Sequence, residues 1–118
     1  GMGGSIAAGM RVARQWPLDG IIVMLCDQPF ITPEHLRQLG AESTRHRIVN
    51  TSCDGQSGPP AWFSPAYFDQ LCSLSGNRGA KALIEGESRR AQIDFPDAKW
   101  DIDTAEDLAV LAPRIDPD

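Results

Sequence analysis

The stretch that decides the fold class covers ten residues and reads Ile21-Ile22-Val23-Met24-Leu25-Cys26-Asp27-Gln28-Pro29-Phe30. Its first six residues are apolar without interruption, which predicts a strand covered on both faces within a parallel sheet. Asp27 follows that strand directly. Because ligands of open α/β sheets bind beyond the carboxyl ends of the strands, Asp27 is a candidate ligand for a Mg²⁺ ion that bridges substrate phosphates. The alternative is that Asp27 only accepts backbone hydrogen bonds in the turn.

Helix and strand signals alternate along the rest of the chain. Helix starts are predicted from capping residues or first turns at Ser5, Thr32, Ser64, Ala80 and Thr104. Further strands are predicted at residues 48–51, 62–63, 91–95 and 100–103, whereas residues 53–60 have the glycine and proline content of a loop. This alternation predicts an α/β fold with a mostly parallel sheet flanked by helices.

Composition narrows the class of protein. A length of 118 residues with 42% apolar content suits one domain with one core, and a net charge of −5 argues against a nucleic-acid partner. The three cysteines form no C-x-x-C pair, and the longest apolar run is too short to span a bilayer. His35 and His46 are isolated and are expected at the surface, so no catalytic triad is indicated. The sequence favours a reduced, cytoplasmic protein without a membrane partner.

A second pair of acids lies near the C-terminus. Asp101 and Asp103 flank an apolar residue just before the predicted helix start at Thr104. In an extended segment, residues two apart point to the same side, so one carboxylate could face a metal. The alternative is that Thr104 caps the helix while the acids stabilise its dipole, which accounts for Asp103 better than for Asp101.

Two glycine-containing segments are further candidates. The glycines between Gly55 and Pro60 allow close approach to a ligand, and Trp62 with Phe63 could line a pterin or base pocket. A surface loop over two buried aromatic residues is the favoured alternative. Asn77 and Arg78 precede a helix and suit an anion there, although a simple cap at Asn77 is an equally good interpretation.

Taken in order, four motifs resemble the MobA-like NTP transferases, and the best match is the molybdenum cofactor cytidylyltransferase branch. They are Gly1-Met2-Gly3-Gly4-Ser5-Ile6-Ala7-Ala8-Gly9, Cys26-Asp27-Gln28-Pro29-Phe30, Gly76-Asn77-Arg78-Gly79-Ala80 and Asp101-Ile102-Asp103-Thr104-Ala105-Glu106-Asp107. The resemblance implies a truncated Rossmann-like nucleotidyltransferase sheet. It places one domain over residues 2–113, followed by a tail at residues 114–118.

The resemblance also implies a reaction, in which CMP or GMP passes from CTP or GTP to a molybdopterin-type substrate and pyrophosphate is released, with Mg²⁺ as the cofactor. The site residues that it implies are Asp27 and Asp103 as catalytic and metal-binding acids, Asp101 as a third metal ligand, and Ser5, Gly58 and Arg78 as cofactor-binding residues. Gly58 falls in a segment that corresponds to a Gly-Asn-Pro segment of the family, and the asparagine is absent here.

One part of the family pattern finds no match. These enzymes open with a strand and a glycine-rich loop of the form Leu-Ala-Ala-Gly-x-x-x-Arg-Met-Gly, which wraps the nucleotide phosphates. Without it the nucleotide site lacks its phosphate cradle, and an open sheet edge would favour a homo-oligomer. Two hypotheses follow: an enzyme fragment that is inactive alone, or a non-catalytic binding or assembly module. An unrelated flavodoxin-like domain is disfavoured by the two-acid arrangement.

Overall fold

A four-stranded sheet forms the centre of the protein, which is seen in a computed structural model that describes residues 2–25, 28, 30–76 and 79–96. The strand order is β1 (Ile21–Val23), β3 (Gln56–Phe63), β2 (Ile48–Cys53) and β4 (Arg90–Asp94). β3 is antiparallel to both of its neighbours, and β2 is parallel to β4. β1, β2 and β4 therefore share one direction and β3 is the reversed strand, so the sheet is mixed, with one parallel and two antiparallel pairings.

Helices cover both faces of this sheet. They are α1 (Met2–Ala13), α2 (Pro33–Glu42), α3 (Phe68–Cys72) and α4 (Lys81–Gly86), and a 3-10 turn at Pro65–Tyr67 leads into α3. Ile48 of β2 is buried with residues of α1, α3 and α4, whereas Thr51, three positions along β2, contacts α2. Since side chains alternate along a strand, α2 lies on the opposite face from the other three helices. In the part of the chain that the structure describes, no helix is long and apolar enough to cross a membrane.

The main core lies on the face covered by three helices. Phe63 is fully buried there, and its ring meets the Tyr67 ring edge-on at a centroid distance of 5.9 Å. The other buried members of this core are Met10, Ile48, Ala61, Leu71, Ala80 and Ile84. Burial of large apolar side chains is the dominant stabilising term, so this cluster fixes how the helices sit on the sheet.

The predicted loop at residues 53–60 is wrong, because β2 and β3 form a hairpin through the two residues Asp54 and Gly55. Both residues have positive φ angles, 51° for Asp54 and 81° for Gly55. Asp-Gly is a preferred pair for a two-residue hairpin turn with φ > 0 at both positions. The short turn allows Gln56–Phe63 to pair back along β2 for its whole length.

β3 contains a bulge at Pro59 and Pro60. Asn50 of β2 is aligned with Ala61, and the next residue, Thr51, is aligned with Gly58, so two residues of β3 lie between successive partners. Proline has no N–H group to donate to the ladder, and such residues are tolerated in sheets at bulges. The peptide bond between the two prolines is cis. The bulge lies just beyond the carboxyl end of β1, whose last residue, Val23, is aligned with Ala61.

The local predictions at helix starts and at β1 had mixed outcomes. Thr32 caps α2 as predicted, since its hydroxyl accepts a hydrogen bond from the His35 backbone N–H at 3.1 Å. Ser5 does not cap α1, because that helix already begins at Met2 and Gly3 N–H bonds the Gly76 carbonyl at 3.0 Å. β1 is shorter than the predicted apolar run, and its three residues are half-buried rather than covered on both faces.

Candidate functional site

A cavity of about 290 Å³ opens at the carboxyl end of β1. Because β3 is antiparallel to β1, the first residues of β3 lie at the carboxyl end of β1 and form one wall of the cavity. Val23 and Leu25 contribute the β1 side, and the other lining residues are Ile6, Ser57, Gly58, Pro59, Ala61, Gly79, Ala80, Lys81 and Ile84. A concave, mostly apolar pocket with a few polar groups is the usual form of a small-molecule site, and this edge of an α/β sheet is its usual place.

Lys81 and Ser57 supply the polar character of the cavity. Among the described lining residues, Lys81 carries the only charge, and its Nζ lies 3.8 Å from Glu85 Oε1 with both side chains more than half exposed. An exposed pair of this kind adds little stability, so the ammonium group remains available to an anion. Ser57 Oγ donates to Gln92 Oε1 at 2.7 Å, and the same oxygen accepts from the buried Asn50 Nδ2 at 3.3 Å.

The chain that leaves β1 contacts the bulge of β3. Gln28 Nε2 donates to the Pro59 carbonyl oxygen at 3.3 Å, and the Gln28 side chain is partly buried. Leu25 lines the cavity from the other side. Leu25 therefore belongs to the cavity wall, and Gln28 is hydrogen-bonded to a second wall residue, Pro59.

A buried polar chain lies on the opposite face of the sheet. Thr51 Oγ1 donates its single hydrogen to the Pro60 carbonyl oxygen at 2.7 Å, so it can only accept from His35 Nε2 at 2.8 Å. His35 therefore carries its proton on Nε2. Its Nδ1 atom is buried and has no hydrogen-bond partner among the described residues, and its ring stacks on Phe95 at a centroid distance of 4.4 Å. The expectation that His35 is a surface residue is wrong, since it is 2% exposed.

Acidification is expected to destabilise the fold through His35. Burial lowers the pKa of His35 from its ordinary value of 6.5, so the folded chain keeps a neutral ring at pH values where the unfolded chain binds a proton. Stability is therefore complete above about pH 6.5 and is lost as the pH falls toward the lowered pKa. We expect His35→Gln, which keeps an N–H donor for Thr51, to reduce this loss of stability with acid. The measurement is the free energy of unfolding in urea between about pH 7.5 and about pH 5.

The other histidine provides the control for that experiment. His46 lies outside the core, with its Nε2 atom 3.7 Å from Glu42 Oε2. His46→Gln is expected to retain the full loss of stability with acid. If His35→Gln follows the parent profile at every pH, the assignment of the acid-sensitive step to His35 is wrong.

The structure places some of the predicted site residues and does not describe others. Gly58 lines the cavity, whereas Ser5 is exposed on α1 and lines a neighbouring groove beside β1. Four predicted site residues lie outside the described residues, namely Asp27, Arg78, Asp101 and Asp103. The same holds for the predicted strand at residues 100–103, the helix from Thr104 and the tail at 114–118. Gly79, next to Arg78, lines the cavity.

Trp62 and Phe63 do not belong to the cavity wall. Phe63 is fully buried in the core, and Trp62 packs against the backbone of Gly20, where a Cβ atom would lie 2.3 Å from the indole Nε1. The pterin or base pocket suggested for these two side chains is therefore replaced by a structural role. Lys81 and Gln28 were not predicted as site residues, although Gln28 lies within one of the four motifs and Lys81 directly follows another.

A second polar contact lies at the other end of the strands, between Tyr67, which follows β3, and Glu87, which precedes β4. Tyr67 Oη donates to Glu87 Oε1 at 2.5 Å, and Glu87 Oε2 accepts from the Arg89 backbone N–H at 2.9 Å. Burial, together with the hydrogen bond to Glu87, raises the pKa of Tyr67 to about 12. The hydrogen bond from Tyr67 lowers the pKa of Glu87. Neither Tyr67 nor Glu87 lines the cavity, so their contact is a structural reference for the site.

The sheet, its helices and the cavity at the strand ends define a nucleotidyltransferase-like α/β domain, and residues 1–93 match the family of the MobA-like NTP transferase domain. The chain belongs to this family. It is 32% identical over 115 residues to the purine catabolism protein PucB of Bacillus subtilis (strain 168), which covers 94% of this chain and 56% of that protein.

Several solved structures share the fold, among them two that differ in their similarity to this chain. Rv0371c from Mycobacterium tuberculosis H37Rv, in complex with manganese, matches 92% of this chain and 59% of its own chain with a TM-score of 0.72 and 30% identity. The molybdopterin-guanine dinucleotide biosynthesis protein A from Archaeoglobus fulgidus matches 91% of this chain and 60% of its own, with a TM-score of 0.55 and 21% identity. The chain thus spans somewhat more than half the length of the relatives that it matches.

Proposed function

We propose that this chain carries the acceptor side of a divalent-metal-dependent nucleotidyltransferase that transfers CMP or GMP from a nucleoside triphosphate to a molybdopterin-type substrate. The cavity at the carboxyl end of β1 carries this proposal, because it adjoins three of the predicted site segments. Gly58 lies in its wall, Leu25 stands two residues before Asp27, and Gly79 follows Arg78. Membership of the MobA-like family and the fold shared with the Archaeoglobus fulgidus protein support the class of reaction.

The reaction proposed for this site is an in-line transfer. A terminal phosphate oxygen of the pterin substrate forms a new bond to the α-phosphorus of the nucleoside triphosphate, the bond from that phosphorus to the bridging oxygen breaks, and pyrophosphate leaves with the electron pair. Catalysis of this kind rests on positioning and on neutralising phosphate charge. Lys81, the one charged residue among the described residues that line the cavity, is placed to pair with the phosphate of a bound pterin.

Asp27, with Asp103 and Asp101, would hold the metal ion. Within the described residues there is no group of three His, Cys, Asp or Glu side chains that could do so. The position of Asp27 in the sequence suits the role, because Leu25 lines the cavity and Gln28 bonds the Pro59 carbonyl in its wall. Carboxylate oxygens are preferred ligands of Mg²⁺. The manganese complex of Rv0371c supports a divalent ion in this family. When bound, such an ion neutralises charge on the phosphate oxygens.

We further propose that the chain by itself does not catalyse the transfer, because none of its segments matches the glycine-rich loop that holds the nucleotide phosphates in this family. Isothermal titration calorimetry with Mg²⁺ and CTP or GTP tests this statement. Weak or no nucleotide binding together with binding of a pterin monophosphate would support an acceptor half-site. Failure of both ligands at millimolar concentration would overturn the proposal and favour a non-catalytic module.

Filling the cavity at Gly58 is expected to block pterin binding without unfolding the domain. A Cβ atom on Gly58 meets no atom within 4 Å, so the fold has room for a side chain there. In Gly58→Leu that side chain competes with a ligand for the cavity, and crowding of about 1.4 kcal/mol or more weakens binding tenfold or more. The measurement is quenching of pterin fluorescence during titration with protein.

The matched control is Gly40→Leu. Gly40 lies in α2 on the other face of the sheet, and a Cβ atom there also meets nothing within 4 Å. This variant should bind the pterin as the parent does. Equal binding by both variants would remove Gly58, and with it this wall of the cavity, from the substrate site.

A further inference from the structure

The bulge of β3 is held by a side chain where the ladder of backbone hydrogen bonds is interrupted. Pro59 and Pro60 have no N–H group, and the register skips both of them. The Pro60 carbonyl accepts from the Thr51 hydroxyl at 2.7 Å, and both residues are buried. The hydroxyl of Thr51 thus takes the place of a backbone donor at the point where β3 begins to line the cavity.

His35 fixes the direction of that hydroxyl. Because Thr51 Oγ1 accepts the Nε2 proton of His35 at 2.8 Å, its own hydrogen is left to point at Pro60. His35 is 2% exposed, Thr51 is 1% exposed, and the His35 ring stacks on Phe95. Where water is excluded, each hydrogen bond polarises the next. The donor and the acceptor of every bond in this series are therefore fixed.

This series of hydrogen bonds ends at the wall of the cavity. Pro60 is joined directly to Pro59, which lines the cavity and whose carbonyl oxygen accepts from Gln28 Nε2 at 3.3 Å. A rotation of the bulge would move this oxygen away from Gln28. Three hydrogen bonds therefore connect a buried histidine on the α2 face with the segment after β1 on the cavity side.

We propose that His35 and Thr51 are positioning residues of the site, which hold the Pro59–Pro60 bulge so that the Pro59 carbonyl fixes Gln28 and the segment beside it. The inference rests on the proposed function in one respect, because it gives this segment the task of presenting Asp27 to a metal ion. The contact between Gln28 and Pro59 itself is independent of any ligand.

The first measurement follows the Gln28 side-chain amide by ¹⁵N NMR in the whole chain, with the resonance assigned by its loss in Gln28→Leu. Thr51→Val removes the hydroxyl and keeps the shape, and it is expected to shift the amide toward the values of an exposed glutamine. Thr51→Ser keeps the hydroxyl and is expected to restore the parent spectrum. A second variant, His35→Leu, leaves Thr51 and Pro60 in contact and should give a smaller shift of the same sign.

The second measurement is binding of Mn²⁺, detected by the loss of the free-ion signal in electron paramagnetic resonance. Residues that orient metal ligands from behind change metal affinity by about 10- to 100-fold, and we expect Thr51→Val to weaken binding by about tenfold, at the lower end of that range. Tyr67→Phe is the structural control, since it removes a part-buried hydrogen bond at the other end of the strands. It should change neither the amide nor the Mn²⁺ affinity.

The two measurements separate the two proposals. If the chemical shift of the Gln28 amide is unchanged in Thr51→Val, or changes equally in Tyr67→Phe, the positioning role is wrong at any Mn²⁺ affinity. A shifted amide with unchanged Mn²⁺ affinity overturns the link from the bulge to the metal. Absence of Mn²⁺ binding by the parent chain contradicts the metal-dependent function, and the amide of Gln28 then still decides whether Thr51 positions the rim.

Discussion

Replacing Phe63 by alanine is expected to lower the free energy of unfolding by about 3–5 kcal/mol, the range measured when large aromatic residues are removed from protein cores. Phe63 is fully buried between the sheet and the helices, and its ring touches Tyr67 edge-on. Because small domains are stable by only about 5–15 kcal/mol, this single change removes a large part of the total. Urea unfolding followed by circular dichroism measures the effect through the transition midpoint.

Phe68→Ala is the matched control for that experiment. Phe68 also packs against the core, but it is only partly buried, so less apolar surface returns to water when its ring is removed. We expect a clearly smaller shift of the midpoint with an unchanged slope. Equal losses in the two variants would show that the β3 position of Phe63 is not the centre of the core.

Local signals in the sequence predicted the elements that are governed by local chemistry. The start of α2 is an example, because Thr32 and Pro33 act within one turn, and the cap hydrogen bond to His35 N–H is present at 3.1 Å. The α/β class was predicted for the same reason, since helix and strand periods alternate along the chain. Ser5 is the exception, because α1 begins earlier, where Gly3 bonds the distant Gly76 carbonyl.

Elements that depend on partners distant in sequence were the ones missed. The prolines at positions 59 and 60 indicated a loop, but the Thr51 hydroxyl, nine residues before Pro60, bonds the Pro60 carbonyl and supports a bulged strand there. The Asp54-Gly55 turn was a usable signal for the hairpin. His35 was assigned to the surface as an isolated polar residue, although its spacing of four from the buried Leu39 places both on one helix face.

The binding and metal-ligating roles that the motifs predict for the site residues stay predictions. Gly58 does line the cavity, and the residues next to Asp27 and Arg78 approach it. Neither Lys81 nor the hydrogen-bonded series His35–Thr51–Pro60 was predicted, because a sequence does not show which side chains the topology brings together at one end of a sheet. Pairing of β3 between β1 and β2 creates this arrangement, and that pairing follows from the hairpin.

Asp27→Asn is expected to weaken binding of Mg²⁺ or Mn²⁺ by more than about 100-fold, which exceeds the effect of residues that only orient a ligand. Asparagine keeps the shape of the side chain and one oxygen but loses the negative charge that a divalent ion requires. The chain should still fold, because the segment beside Asp27 is held by Gln28 and by the apolar contacts of Leu25. Titration with Mn²⁺ and a thermal melt of the same sample measure the two properties together.

Asp19→Asn makes the same change of charge at the other end of β1. Asp19 is exposed in the turn that precedes the strand, so it alters the net charge of the protein without approaching the cavity. The long-range effect of one exposed charge is screened by salt, and this control should bind the metal like the parent. If Asp27→Asn binds Mn²⁺ as tightly as Asp19→Asn does, then Asp27 serves only the turn after β1, and the metal must be sought among other residues of the protein.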